Sequence, residues 1–422
     1  MNRMTLLDRD SWGRTVKRIY LISLAVLLPG LRPSLPGNTT FFDFLGLMAI
    51  GVMLIAFLLG KRVELRLVVP AAIILLGSML SMLNSEALAM NLTLIGKEIF
   101  LFLLFLALYN LIRTEEDVHF FVGAWMLTAV CVSLWILSEI ATNFPLRATG
   151  SFRNPNMASS YLGISVFLCF ESLWWRRRML AIAYAVLVGS AMLVGTKSLS
   201  ATGSLMLSLG VVFGGYWLAG GSGNRARFAL GTVLVLVVAA LVLPQIITLP
   251  HFLDRLPGSF EERFLMWMVG VEMFLENPLA LEVGPGAFIE VGSVAGRRVT
   301  LHSDYLSFLV ERGAIALAGL FILLLAIATL SYRSLRRART VEQLTWVLGL
   351  SGMFIFSVID AFSHEVSHYR HICVMASLIA VQWRLMSGQP MEAADDEPTD
   401  LPATALGDQH GTPEGAPALG KS

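Results

Sequence analysis

The stretch LHSDYLSFLVERGAIALAGLFILLLAIATLSY, residues 301–332, passes from a polar start into a long apolar run. A helix from Ser303 to Tyr332 would be about 45 Å long at 1.5 Å per residue. The hydrocarbon core of a bilayer is only about 30 Å thick. Such a segment crosses a membrane, and its first turns project beyond the lipid. That places His302 just outside, Asp304 in the first helical turn and Glu311 near the boundary. Immediately upstream lies a polar block, residues 250–303, set between two apolar segments.

The remainder of the chain follows the same pattern. Of its 422 residues, 56% are hydrophobic and 14% charged, and the mean hydropathy is +0.70. A soluble domain cannot hide that much apolar surface. A span needs about 20 apolar residues. Candidate spans fall near 15–33, 41–60, 67–83, 92–112, 118–141, 156–174, 179–195, 203–219, 226–248, 304–332, 342–361 and 369–386. The fold class expected is an all-α polytopic membrane protein, with about 12 transmembrane helices and one large outward-facing loop containing short interfacial helices. The strands of a β-barrel would alternate instead. Cys131, Cys169 and Cys373 fall inside spans and read as packing residues. Arg14, Lys17 and Arg18 precede an apolar run that no small-residue cleavage site follows, so the first span reads as retained.

Basic residues orient the spans. With both termini cytoplasmic, the clusters Arg176–Arg178 and Arg333, Arg336, Arg337, Arg339 lie inside, and the opposite orientation would put both outside. The organisation expected is helices one to nine in 1–249, an outer loop in 250–303, helices ten to twelve in 304–386, and a disordered cytoplasmic tail in 387–422. That tail is rich in Pro, Gly, Ala and acidic residues. The outer loop then faces away from ATP and nucleotide sugars, and the net charge of +1 gives no sign of nucleic-acid binding.

Four outward segments carry the unusual residues. In 142–156, Arg147 and Arg153 sit in a turn rich in Gly, Asn and Pro. They either snorkel and pair with a carboxylate or form an anion clamp, since a guanidinium presents forked donors to phosphate. Asn156 reads as the cap of the next helix. Thr196 to Thr202 is a hydroxyl-rich turn containing Lys197 and Ser198, which reads first as helix capping. In the third segment, Arg263 precedes an apolar stretch, Phe264 to Phe274, too short to span and suited to the membrane interface. A cation at a positive helix N-terminus is unfavourable, and an anionic ligand would relieve that cost. The segment ends in Asn277-Pro278, a Gly284-Pro285-Gly286 turn, and His302, either a structural histidine or one that exchanges protons near neutral pH. The fourth segment runs from His364 to His371. His364 and His368 have the spacing that places two imidazoles on one helix face. No third metal ligand is fixed, and hydrogen bonding to polar ligands or headgroups is the principal reading. Inside a span, Lys97 and Glu98 should face protein or water rather than lipid.

Taken together, these residues resemble the O-antigen ligase and O-antigen polymerase family of bacterial membrane glycosyltransferases. Residues 147–156, R-A-T-G-S-F-R-N-P-N, are similar to the family's Arg-x-x-Gly-[Ser/Thr]-Phe-x-Asn-Pro-Asn stretch. Arg263 with Trp267, Asn277-Pro278, Gly284, Gly286 and Phe288 looks like its loop pattern. His302-Ser303-x-Tyr305-Leu306 with Glu311 and Gly313 looks like its histidine motif. Two positions depart: Leu199 follows Thr196-x-Ser198 where an Arg is usual, and Glu282 stands where a Gly often precedes the turn.

The resemblance implies a glycan donor on a polyprenyl diphosphate, such as undecaprenyl diphosphate, presented at the periplasmic face of the bacterial inner membrane. The acceptor is a glycan or lipid A–core hydroxyl, and no cofactor or metal is implied. His302 is the implied base. Arg147, Arg153 and Arg263 hold the donor diphosphate, with Glu311, Tyr305, Asn156 and Ser198 in support. A polysaccharide polymerase or a protein-glycan transferase would use the same donor chemistry. A transporter of lipid-linked glycans would instead place its polar residues at the midplane of repeated halves.

Overall fold

A computed structural model of the protein describes residues 6–30, 40–143, 147–152, 154–171, 177–219, 256–288, 293–294, 297–298 and 301–388. The described chain is helical. Its helices are α1 (Leu6–Leu27), α2 (Phe41–Leu58), α3 (Val68–Ser81), α4 (Leu88–Leu111), α5 (Glu115–Asn143), α6 (Pro155–Val166), α7 (Arg178–Ser190), α8 (Leu199–Ala219), α9 (Leu256–Glu276), α10 (Asp304–Arg337), α11 (Val341–Asp360) and α12 (Arg370–Ser387). A 3₁₀ turn, Phe167–Phe170, follows α6, and a π-turn, Ala191–Thr196, extends α7. Ser293–Val294 pairs antiparallel with Arg297–Arg298.

Every expected span coincides with one of these helices, except that at 226–248, which lies outside the described residues, as does the expected tail beyond residue 388. Length and apolarity establish six candidate crossings among the described residues, where the sequence suggested twelve. They are 41–58, 88–111, 115–142, 178–196, 304–337 and 341–360. The shortfall has physical causes. At 14 residues, α3 is about 21 Å long, less than the hydrocarbon thickness. α6 gives way to the 3₁₀ turn at Phe167. α9, which was not expected to span, is not among the candidate crossings either.

Contacts between connections separate into two groups. Ser85 Oγ donates to Val283 O, Glu282 N–H to Leu83 O, and Arg147 Nε to Thr196 O. Arg370 pairs with Asp43, and Asp304 accepts from Ser367. All of these segments were expected to face outward. The other group joins Lys17 to Asp117, Tyr109 to Glu64, Arg384 to Tyr109 O, and His119 to Glu171.

α10 is the central strut. It packs on α3 through small residues, which let backbones approach closely where lipid offers no hydrophobic drive. A Cβ on Gly77 would lie 2.5 Å from Ala316 N, and one on Gly319 would lie 2.8 Å from Ile74 N. α10 is broken at Gly313, which has φ 75° and ψ 177°. The turn at Asn277–Leu279 fills the break. Ala314 N–H donates to Pro278 O at 3.0 Å, and a Cβ on Gly313 would meet Leu279 backbone at 2.6 Å.

Gly77→Val should therefore separate α3 from α10 at a cost of about 1–3 kcal/mol, as overpacking does. The check is thermal unfolding of the purified protein in detergent. A lowered Tm is expected, and an unchanged Tm would show that the two helices are not in backbone contact.

Candidate active site

The candidate site is assembled by carboxylates that bind main-chain N–H groups. Asp304, 4% exposed, begins α10. Its Oδ2 accepts from the N–H groups of Val366 (2.9 Å) and Ser367 (2.8 Å), and its Oδ1 from Ser367 Oγ (2.7 Å). Asp304 N–H donates in turn to Ala361 O at 2.9 Å. The connection between α11 and α12 is thus fastened to the start of α10. Two turns further along, Glu311 fastens a second segment. Its Oε2 accepts from Gly286 N–H (2.9 Å) and Ser307 Oγ (2.8 Å), and its Oε1 from Phe288 N–H (3.3 Å). Hydrogen bonds to a charged group contribute roughly 1.5–3 kcal/mol each, so these carboxylates are strong anchors. Glu311 was expected to support the base or hold sugar hydroxyls. The structure turns it inward onto the Gly284–Phe288 turn.

His302 lies between these anchors. It is half-buried, with φ 49°. Such a conformation costs a non-glycine residue energy and persists where surrounding contacts impose it. Those contacts are present. The His302 main-chain N–H donates to the Glu365 carboxylate, and the preceding Leu301 O accepts from Trp267 Nε1 at 3.2 Å. α9 is thereby tied to the histidine, and Gly270 lets it lie close to Leu301. Burial lowers the pKa of the imidazole, and the positive charge of Arg263 and then His364 lowers it further. Its ring is therefore unprotonated at neutral pH, the state a base requires. Arg263 is half-buried, and burial lowers its pKa. The structure thus brings Arg263, His302, His364 and Glu365 into one electrostatic group. Burial, then the charges of Glu311 and Asp304, raise the Glu365 pKa to about 7.

Arg147 and Asn156 form a neighbouring cluster. Arg147 Nε donates to Thr196 O at 2.7 Å, and its Nη2 donates to Asn156 Oδ1. Ala148 N–H donates to Gly195 O at 2.9 Å. The carbonyls left open by the π-turn are satisfied in this way, so Arg147 closes the end of α7 with part of its donor set. Asn156 does not cap α6. Asn154 does, its Oδ1 accepting from Asn156 N–H at 2.8 Å with Pro155 at the first helical position. Arg153 lies outside the described residues. Ser198 is buried, and its carbonyl accepts from Thr202 N–H and Oγ1. Tyr305 OH donates to Val358 O at 2.9 Å, and its ring packs on Phe362. Among the expected supporting residues, Tyr305 and Ser198 thus make helix-to-helix or capping contacts.

The sequence did not single out Asp360 or Arg312. Asp360 Oδ1 lies 2.8 Å from His364 Nδ1, and Ser200 Oγ lies 3.1 Å from the same nitrogen. The i,i+4 spacing of Asp360 and His364 was the available signal. Arg312 pairs with Glu98 at 2.5 Å, and an arginine inside an apolar span is itself a signal. His364 and His368 turn to different partners, Asp360 and Arg312. Among the described residues, no group of three His, Cys, Asp or Glu side chains is placed to hold a metal.

The segment from α7 to the middle of α10 contains Arg263, His302, both anchoring carboxylates Asp304 and Glu311, and the Gly284–Phe288 turn. Residues 183–321 match the family model for O-antigen ligase. The matched segment also includes Ser198 and Tyr305 and leaves out Arg147, Arg153 and Asn156. Comparison with curated proteins gave no match.

One departure from the family pattern has a structural consequence in this matched segment. Glu282 has φ 82°, in the left-handed region that favours glycine. Glu282→Gly should be neutral or stabilising, because it relieves about 1–2 kcal/mol of backbone strain against a smaller loss of unfolded-state restriction. Gly284→Ala should do the opposite, since a Cβ there would sit 2.1 Å from Asn91 Nδ2 at φ 79°. Paired Tm measurements test this, and a destabilised Glu282→Gly would refute the strain.

Proposed function

We propose that the protein is a membrane glycosyltransferase that moves a glycan from a polyprenyl-diphosphate donor to an acceptor hydroxyl, at the outer face of the bacterial inner membrane. The observation that carries this reading is His302. It is half-buried, fixed by Glu365 and the Trp267–Leu301 bond, and set within the influence of Arg263 inside the family-matched segment.

In the proposed reaction, His302 removes the acceptor hydroxyl proton. The oxygen attacks the anomeric carbon, and the bond from that carbon to the diphosphate oxygen breaks. The electron pair leaves with the polyprenyl diphosphate. Arg263, with Arg147 and Arg153 from the neighbouring turn, stabilises the charge that develops on the leaving group. The diphosphate is already activated, so the step needs no nucleotide. The same chemistry serves a ligase, whose acceptor is lipid A–core, and a polymerase, whose acceptor is a lipid-linked repeat.

The test is release of polyprenyl diphosphate with glycan transfer, using the protein in nanodiscs and each acceptor in turn. His302→Ala should lower turnover by about 10²–10⁴-fold, the usual contribution of a general base, with donor binding retained. The His302 limb of the pH–rate profile should lie below about 6.5, the free imidazole value, beneath the titration of Glu365 near 7. In Arg263→Gln that acid limb should move to higher pH, because a positive charge that lowers the histidine pKa has gone. Undiminished turnover in His302→Ala would remove the proposed base. The acceptor that supports turnover decides between ligase and polymerase.

A further inference from the structure

The proposed reaction makes no use of a cavity of about 200 Å³ enclosed by α3, α4, α10, α11 and α12. Its walls are apolar, with Ile74, Leu101, Phe105, Leu323, Ile327 and Met375 among them. Beyond the break at Gly313, the α10 wall runs about 20 Å from Ala314 to Ile327 at 1.5 Å per residue. Leu67, Leu75 and Leu324 also line it and are part-exposed, so it reaches the lipid-facing surface of the bundle.

One end of this apolar cavity is polar, where Glu98, Arg312 and His368 line it. Arg312 is 1% exposed, and its charge is balanced by the ion pair with Glu98. Its Nη2 lies 3.4 Å from His368 Nε2. A guanidinium only donates, so Nε2 accepts and the proton of the neutral ring sits on Nδ1. The neutral form is enforced by burial and by the charges of Arg312 and Lys97, which push the His368 pKa down to about 3. His368 Nδ1 and Arg312 Nε are then two buried donors without hydrogen-bond partners among the described residues. The other acid at this end, Asp304, has its oxygens occupied by Val366 and Ser367.

An apolar slot bounded at one end by Arg312 and His368, whose buried Nε and Nδ1 lack partners among the described residues, fits a hydrocarbon chain headed by an acceptor oxygen. The charge there is already balanced, so a diphosphate would bring surplus negative charge into a buried site, whereas a neutral carbonyl would not. We propose that the cavity holds one acyl chain of a bilayer phospholipid, its ester carbonyl accepting from Arg312 Nε and His368 Nδ1. The lipid then acts as a structural element that joins α3, α10 and α12 beneath the candidate active site.

The test uses the full-length protein in nanodiscs containing phosphatidylglycerol with a diazirine in one acyl chain. After illumination, adducts should map to cavity residues such as Leu101, Leu323 and Met375. His368→Phe, which removes one donor, should reduce these adducts about fivefold, equivalent to about 1 kcal/mol. Ala376→Phe should reduce them by filling the cavity. If either variant fails to fold, the adduct map of the unaltered protein decides alone. Adducts confined to lipid-facing side chains such as Leu47 and Phe57 of α2 would overturn the proposal. Loss of the cavity adducts on adding stoichiometric polyprenyl diphosphate would also overturn it, by giving the cavity to the donor tail.

Discussion

The buried Asp304 carboxylate and its three donors from Val366 and Ser367 are the interaction on which the candidate site depends. A charge held out of water must be hydrogen-bonded or it does not remain there. Here the need for partners is met by the main chain of the connection between α11 and α12. That requirement fixes the position of Glu365, which in turn holds the main chain of His302. Glu311 repeats the arrangement on the Gly286–Phe288 turn. Both acids stand on the first turns of α10, so one helix sets the positions of two irregular segments. α10 is itself held by close backbone contact with α3 and by the turn lodged at Gly313.

Much of this was legible in the sequence. Long apolar runs marked the helices, and the run after Ser303 marked the long helix α10, which is a candidate crossing. The short apolar stretch after Arg263 correctly indicated a helix that is not a candidate crossing. The glycine deficit at 282 was visible as a departure from a pattern, and it coincides with a strained backbone. Other features depend on contacts between residues far apart in the chain. Nothing local indicates that Arg147 will meet Thr196 or that Arg312 will meet Glu98. The helix cap was misplaced by two residues because Asn154 and Asn156 are chemically equivalent, and Pro155 at the first helical position decides between them. Apolar composition alone does not show where a helix is short, as in α3, or gives way to a 3₁₀ turn, as after α6, so six of the expected spans stand as candidate crossings among the described residues.

The two positive groups differ in how far they are committed. Arg147 spends donors on closing α7, whereas Arg263 sits on α9 beside the histidine and within the family-matched segment. This asymmetry makes Arg263 the stronger candidate for contact with the leaving diphosphate. Arg312, deeper and paired with Glu98, belongs to the apolar cavity instead. The arrangement separates a half-buried cation that can meet a polyanion from a fully buried one that is already neutralised.

The most direct test is a structure of the protein bound to a polyprenyl-diphosphate glycan whose anomeric oxygen is replaced by a methylene, so that transfer cannot occur. The account predicts the diphosphate against Arg263, with the anomeric carbon facing the His302 imidazole across a gap that an acceptor oxygen can enter. A diphosphate seated at Arg312 and His368, or an anomeric carbon turned away from His302, would contradict it.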